Sequence, residues 1–172
     1  MTEKPEDPEI GYRLDALAGV VRSELTAAGL PVTPDDHPLG TAGATVQVDR
    51  PDLHGVLVHW HAHPILMDAG QAAWADDPFG EGEEYEAFGR QTKGIGHAMQ
   101  EAMREILTVA GLEVVDTNND YAPDELLVTR RVTPSAWRAR HDATFTRRHE
   151  GMLAAWNERH REEYDRNRGD QD

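Results

Sequence analysis

Between Thr45 and His61 the chain twice alternates in period two. Val46 and Val48 stand among Thr45, Gln47 and Asp49, and Val56, Val58 and Trp60 stand among Leu57, His59 and His61. Successive side chains of a strand leave opposite faces, so alternation of this kind marks a half-buried strand. The Arg50 to His54 segment reads as the turn of a hairpin. Pairing Val48 with Val56 sets Val46 opposite Val58 and gathers the four valines and Trp60 on one face. Such a face has to be covered, which calls for helices on either side of it in sequence.

Ile10, Leu14, Leu17, Val21, Leu25 and Ala28 recur at helical spacing behind Asp7-Pro8, and Gly29 supplies the stop. A second apolar face, from Phe88 through Ile95, Met99 and Met103 to Leu107, predicts a helix within Glu83 to Ala110, ending at Gly111. Gly89, Gly94 and Gly96 weaken its first half by about 1 kcal/mol each relative to alanine, so a kink or break is expected there. Val114 and Val115, then Leu126 to Val132, read as a second hairpin joined through Asn118-Asn119-Asp120. Thr133-Pro134 caps a long final helix with the stripe His141, Phe145, His149, Met152, Trp156 and His160. Pro64 to Gly82 reads as a loop with one helical turn at Ile65 to Asp68.

The expected fold is therefore α+β, ordered helix-hairpin-helix-hairpin-helix, with antiparallel strands packed on helices and a long C-terminal helix. Residues 1–8 and 165–172 are read as disordered ends, 9–133 as the α+β domain, and 134–164 as a helix packing on that domain or on a partner subunit. Val21 to Val32 and Met103 to Val114 resemble each other, each a helix end closed by glycine and followed by a hairpin. Shared punctuation explains that likeness as well as duplication does.

At 172 residues the chain is long enough for one domain with a real core. It has no cysteine, which removes disulfides and thiolate metal sites and agrees with a reducing compartment. The longest apolar runs, such as Gly55 to Val58, fall far below the roughly 20 residues of a bilayer-crossing helix. The first nine residues lack the order of a signal peptide, and the cytoplasm is the expected location.

Charge is split unevenly. Residues 1–127 carry 7 basic and 24 acidic side chains, whereas residues 128–172 carry 10 and 8. An acidic body repels polyanions while a basic segment seeks acidic surfaces. Arg138, Arg140, Phe145, Arg147, Arg148, Met152 and Trp156 form the expected interaction surface of the final helix. With Trp137 they also permit a nucleic-acid reading, which a net charge of −15 opposes. Asp76, Asp77, Glu81, Glu83, Glu84 and Glu86 make an acidic cluster suited to a cation, a basic partner or plain solvation.

The densest chemistry is His59-Trp60-His61-Ala62-His63. On one strand the three imidazoles share the face opposite Trp60, and two neighbours roughly 6.6 Å apart at Cα can chelate one zinc ion. A complete site needs a further ligand, for which Asp68, His97 and the Glu83/Glu84 pair are candidates. Asp116-Thr-Asn118-Asn-Asp120 begins like a calcium loop, but Tyr121 stands where glycine is required and Leu127 where glutamate is. Nucleophile elbows and phosphate-binding glycine loops are missing, and Ser135 is explained by the helix start beside it.

These features are read as those of a cytoplasmic, acidic, non-enzymatic binding or regulatory protein of adaptor type, without cofactor and without membrane contact. It is expected to act through a protein partner or as a homodimer formed by its last helix. The alternatives are a zinc-dependent enzyme or metal-binding protein built on His59, His61 and His63, and a nucleic-acid-associated protein using residues 130–148. The order of helices and hairpins in an acidic chain resembles that of small dimeric secretion chaperones, at the level of architecture alone.

Overall fold

Val48 lies opposite Val56 and Val46 opposite Val58 in the computed structural model, which describes residues 8–33, 41–50, 54–76, 83–117, 119 and 121–169. The elements follow as α1 (Pro8–Ala27), β1 (Val32–Thr33), β2 (Gly43–Val48), β3 (Val56–His61), α2 (Pro64–Asp76), α3 (Glu83–Val109), β4 (Leu112–Asp116), β5 (Leu126–Arg131) and α4 (Ala136–Gly169). This is an α+β fold with a five-stranded sheet in the order β1-β2-β3-β5-β4. The chain divides into two compact units, Met1–Thr133 and Pro134–Asp172.

In the first unit the sheet is covered as its alternation demands. Leu14, Leu17, Val21 and Leu25 of α1 and Met103 and Leu107 of α3 are buried in one cluster with Val46, Val56, Val58, Leu126 and Val128. Burying a side chain of this size contributes about 1.5–3 kcal/mol relative to leaving it exposed. Both helices end at a glycine of positive φ, Gly29 at 87° and Gly111 at 83°. At the first of these the Leu30 N–H donates to Leu25 O (3.0 Å), closing a Schellman turn. The two similar segments share this glycine stop, and their strands then pair differently.

Three expectations on order are corrected. β1, too short to leave an alternation signal, pairs parallel with β2 through Val32↔Ala44 and Thr33↔Thr45, so the sheet is mixed rather than antiparallel throughout. The stretch after β3 is a thirteen-residue helix, α2, and not a loop with one turn. Its covered side is Leu66, Ala69, Gly70 and Ala73 at i, i+3, i+4 and i+7, with only Ala73 fully buried, and the three small residues conceal the apolar stripe from a reading by large residues. Pro64 stands at its first position and the Nδ1 of His63 accepts from the Ile65 N–H at 3.1 Å, a helix start in which histidine is the cap. α3 runs unbroken through Gly89, Gly94 and Gly96 over 27 residues.

The second unit is the helix α4, which continues to Gly169 beyond the end read near Tyr164. Its large apolar side chains are open to solvent: Phe145 is 65 % exposed, Met152 70 % and Trp156 52 %. Residues 1–7 and 170–172 lie outside the described residues, as do Asp77, Glu81, Asn118 and Asp120; of the ends expected to be disordered, Pro8 begins α1 and 165–169 belong to α4.

Candidate functional site

The α2 helix changes the chemistry available to the first unit, because it packs on α3 and leaves a groove beside the end of β3. The groove has a volume of about 810 Å³. Its apolar lining comes from Trp60 at the strand end, Leu66, Met67 and Trp74 on α2, and Tyr85 and Phe88 on α3. Trp74 is 52 % exposed and Tyr85 40 %, so two large rings of this lining face solvent. Aromatic side chains at a surface offer large contact area at low conformational cost, and they dominate the energetics of protein interfaces.

The local sequence explains each wall. Trp60 belongs to the core face of β3, but near the strand end it is only partly covered by the cluster below. Helix α2 starts two residues after that strand because Pro64 and the His63 cap fix its first turn. Tyr85 and Phe88 lie in the first turns of α3, where Glu83, Glu84 and Glu86 complement the positive end of the helix dipole. The third side is Pro123 and Asp124, from the connection between β4 and β5. That connection is held on α3 by the Gln100 side chain, which donates from Nε2 to Pro123 O at 3.2 Å. A Cβ on Gly96 would come 2.8 Å from Asp124 Oδ2, so the Asp124 side chain lies against the helix at this glycine.

The polar groups around the groove are mainly acidic or neutral. Glu86, Asp124, Gln71, Thr92, His61 and Lys93 are among the lining residues. Glu86 also accepts from Arg90 Nη1 one turn on, at 3.2 Å. Of the expected acidic cluster, Glu83, Glu84 and Glu86 share the start of α3 and Asp76 closes α2.

The histidine strand is only partly as expected. His59 and His61 share the face opposite Val58, with ring centroids 6.5 Å apart in an edge-on arrangement. His63 is not on that face, because β3 ends at His61 and His63 caps α2 instead. Among the described residues no group of three or more His, Cys, Asp or Glu side chains is placed to hold a metal ion. Asp68, His97 and the Glu83/Glu84 pair, the candidate further ligands, therefore do not complete a site with His59 and His61.

On α4 the expected interaction residues are displayed along one helix. Arg138 lies over the Trp137 ring, 4.8 Å from its centroid. Phe145 stacks on His149 (centroids 6.3 Å apart, rings 4° from parallel), and Trp156 lies against His160 at 3.9 Å. Arg147 donates from Nε to Ala143 O at 3.2 Å, folding its guanidinium back along the helix. Arg140 and Arg148 are exposed.

Other charged pairs link elements of the framework. Arg130 holds Glu113 across β4 and β5, and its hydrogen bond keeps the Glu113 carboxyl below the usual carboxylate range. Arg104 on α3 pairs with Asp116 at the end of β4. Burial pushes the Glu125 carboxyl up, and the charge of Asp49 adds to the effect.

Sequence reasoning missed the groove as a site, although it placed Trp60 on the core face of its strand and named the acidic cluster that includes Glu86. The available signal was Pro64 behind a histidine, followed by small residues at helical spacing. No protein family, curated protein or solved structure matches the chain, so its function has to be argued from its own residues. None of the described helices is long and apolar enough to cross a membrane.

Proposed function

We propose that this chain is a non-enzymatic, adaptor-like binding protein that receives an apolar, basic segment of another protein in the groove between α2, α3 and the end of β3. The observation that carries the reading is the groove's wall of exposed Trp74 and Tyr85 beside Phe88, Trp60 and Met67. Apolar anchors of a helical or extended segment would bury against these rings. Charge selects the partner's sign. Residues 1–127 carry 24 acidic against 7 basic side chains, which attracts a basic segment and repels an acidic one. A reducing compartment, with the cytoplasm foremost, suits a chain without cysteine.

The test uses two labelled amphipathic peptides with the same leucine pattern, one bearing lysines and the other glutamates. The lysine peptide should bind and the glutamate peptide should not bind at the groove. Trp74→Ala combined with Phe88→Ala should weaken lysine-peptide binding about tenfold or more, the usual cost of removing aromatic anchors. Unchanged affinity in a double variant that keeps its fold would refute the groove reading.

A further inference from the structure

Seven arginines lie in the first unit, and five of them are held by the protein itself. Arg22 donates to Val46 O, and Arg50, Arg90, Arg104 and Arg130 pair with Asp15, Glu86, Asp116 and Glu113. The other two, Arg13 and Arg131, have no hydrogen bond or ion pair among the described residues. Both line one cavity of about 740 Å³, whose apolar wall is Ile10, Leu14, Leu17 and Val20 of α1. His54, just before β3, lines it as well. Among the described residues no carboxylate lines this cavity, in a chain with 32 acidic side chains.

Local structure brings the two arginines to the same place. Ile10, Leu14 and Leu17 recur at i, i+4 and i+7 on α1, so they form one stripe, and Arg13 at i+3 stands beside it. Leu14 and Leu17 are buried while Ile10 is 36 % exposed, so the stripe runs from the core out to solvent. On β5 the register with β4 shifts: Val128 lies opposite Val114 but Arg130 opposite Glu113, which leaves Thr129 as an extra residue. Uninterrupted alternation from Val128 would turn Arg131 away from the helices. The bulge instead sets Arg131 opposite the buried Leu112, on the face whose core α1 and α3 cover. Glu9, one turn before Arg13, and Glu113, held by Arg130, do not line the cavity.

The two walls together select the ligand. Guanidinium groups without a partner attract an anion, and arginine pairs bidentately with a carboxylate. The apolar wall is aliphatic, with no Phe, Tyr or Trp ring on which a nucleobase could stack. From Ile10 to Val20 it extends about 15 Å along the helix, which suits an alkyl chain. We infer that this cavity binds an aliphatic monocarboxylate, its head held by Arg13 and Arg131 and its chain laid along Ile10, Leu14, Leu17 and Val20. The cavity shares no lining residue with the aromatic groove, so this is a second site that goes beyond the function proposed above.

The test is a titration of the ¹⁵N-labelled full chain with octanoate, with butanoate, octylamine and inorganic phosphate as comparisons. Millimolar octanoate should give saturable shifts of the Thr129, Arg130 and Arg131 backbone amides and leave the indole N–H resonances of Trp60 and Trp74 in place. Affinity should rise about two- to fourfold for each methylene between butanoate and octanoate. Arg13→Gln/Arg131→Gln should weaken octanoate about tenfold or more. Arg147→Gln/Arg161→Gln, which removes the same charge from exposed positions of α4, should leave it within about twofold. Ile10→Ala should weaken octanoate several-fold and leave butanoate within about twofold. Thermal unfolding verifies that the variants are folded. The site is refuted if the three amides stay in place, if both double variants weaken binding equally, if octylamine or phosphate binds there as tightly as octanoate, or if chain length makes no difference.

Discussion

At the scale of single residues, charge and burial set a pH dependence with a definite sign. Glu125 is half-buried near Asp49, and both effects raise its carboxyl above the ordinary value of 4.5. A raised acid favours the protonated folded state, so its favourable contribution is complete below the unfolded value and is lost as pH rises through the folded one. At neutral pH the ionised Glu125 therefore destabilises the fold. Glu125→Gln is expected to raise the melting temperature at pH 7, with the gain shrinking as pH falls towards the ordinary value of 4.5 and absent below it. Thermal unfolding of both proteins from pH 3 to pH 7 checks this, and a constant difference across that range would contradict it. Glu113 has the opposite sign. Its carboxyl is held low by Arg130, so its contribution is present above the ordinary carboxylate value and lost in acid. Both members of that pair are exposed, and such pairs add little.

Among the elements, the glycines separate two roles that the sequence presents alike. Gly111 ends α3 at a φ of 83°, and an added Cβ would also collide with Thr133. Gly94 lies inside the same helix with nothing near its missing Cβ. Gly111→Ala is thus expected to cost more than about 1 kcal/mol, whereas Gly94→Ala should gain about 0.5–1 kcal/mol. Denaturant titrations of the two variants read both signs directly. In the core, Leu107 is fully buried between α3 and the sheet, and Leu107→Ala should cost about 2–5 kcal/mol.

The same contrast shows where the fold could be read ahead of the structure. The β2–β3 register was legible because five large residues alternate in one short stretch and a slip by one residue would turn them all outwards. Helix α2 was not, because after Leu66 its covered positions hold alanine and glycine, which carry almost no apolar signal. β1 has two residues, below the length at which alternation exists at all. Losing α2 also meant losing the groove, since two of its walls meet only when that helix packs on α3. The histidines were misjudged for a related reason. The period of a strand was carried past His61, where Pro64 had already committed the chain to a helix.

For the whole molecule, the account is one of an aromatic docking groove in a chain of divided charge. An acidic first unit presents an aromatic groove, and a helix with an arginine-bearing aromatic face follows in the second unit. The chain's four tryptophans divide evenly between them, Trp60 and Trp74 at the groove and Trp137 and Trp156 on α4. Raising salt should weaken docking of a basic segment at the groove, with the apolar anchors retaining part of the affinity. The central claim is that the groove receives an apolar, basic segment. The most direct test is a titration of ¹⁵N-labelled protein with the lysine-bearing amphipathic peptide, following the four indole N–H resonances. The account predicts saturable shifts of Trp60 and Trp74, absent for the glutamate peptide, while Trp137 and Trp156 remain in place. Shifts confined to Trp137 and Trp156, or no shift at any of the four with the peptide in large excess, would contradict it.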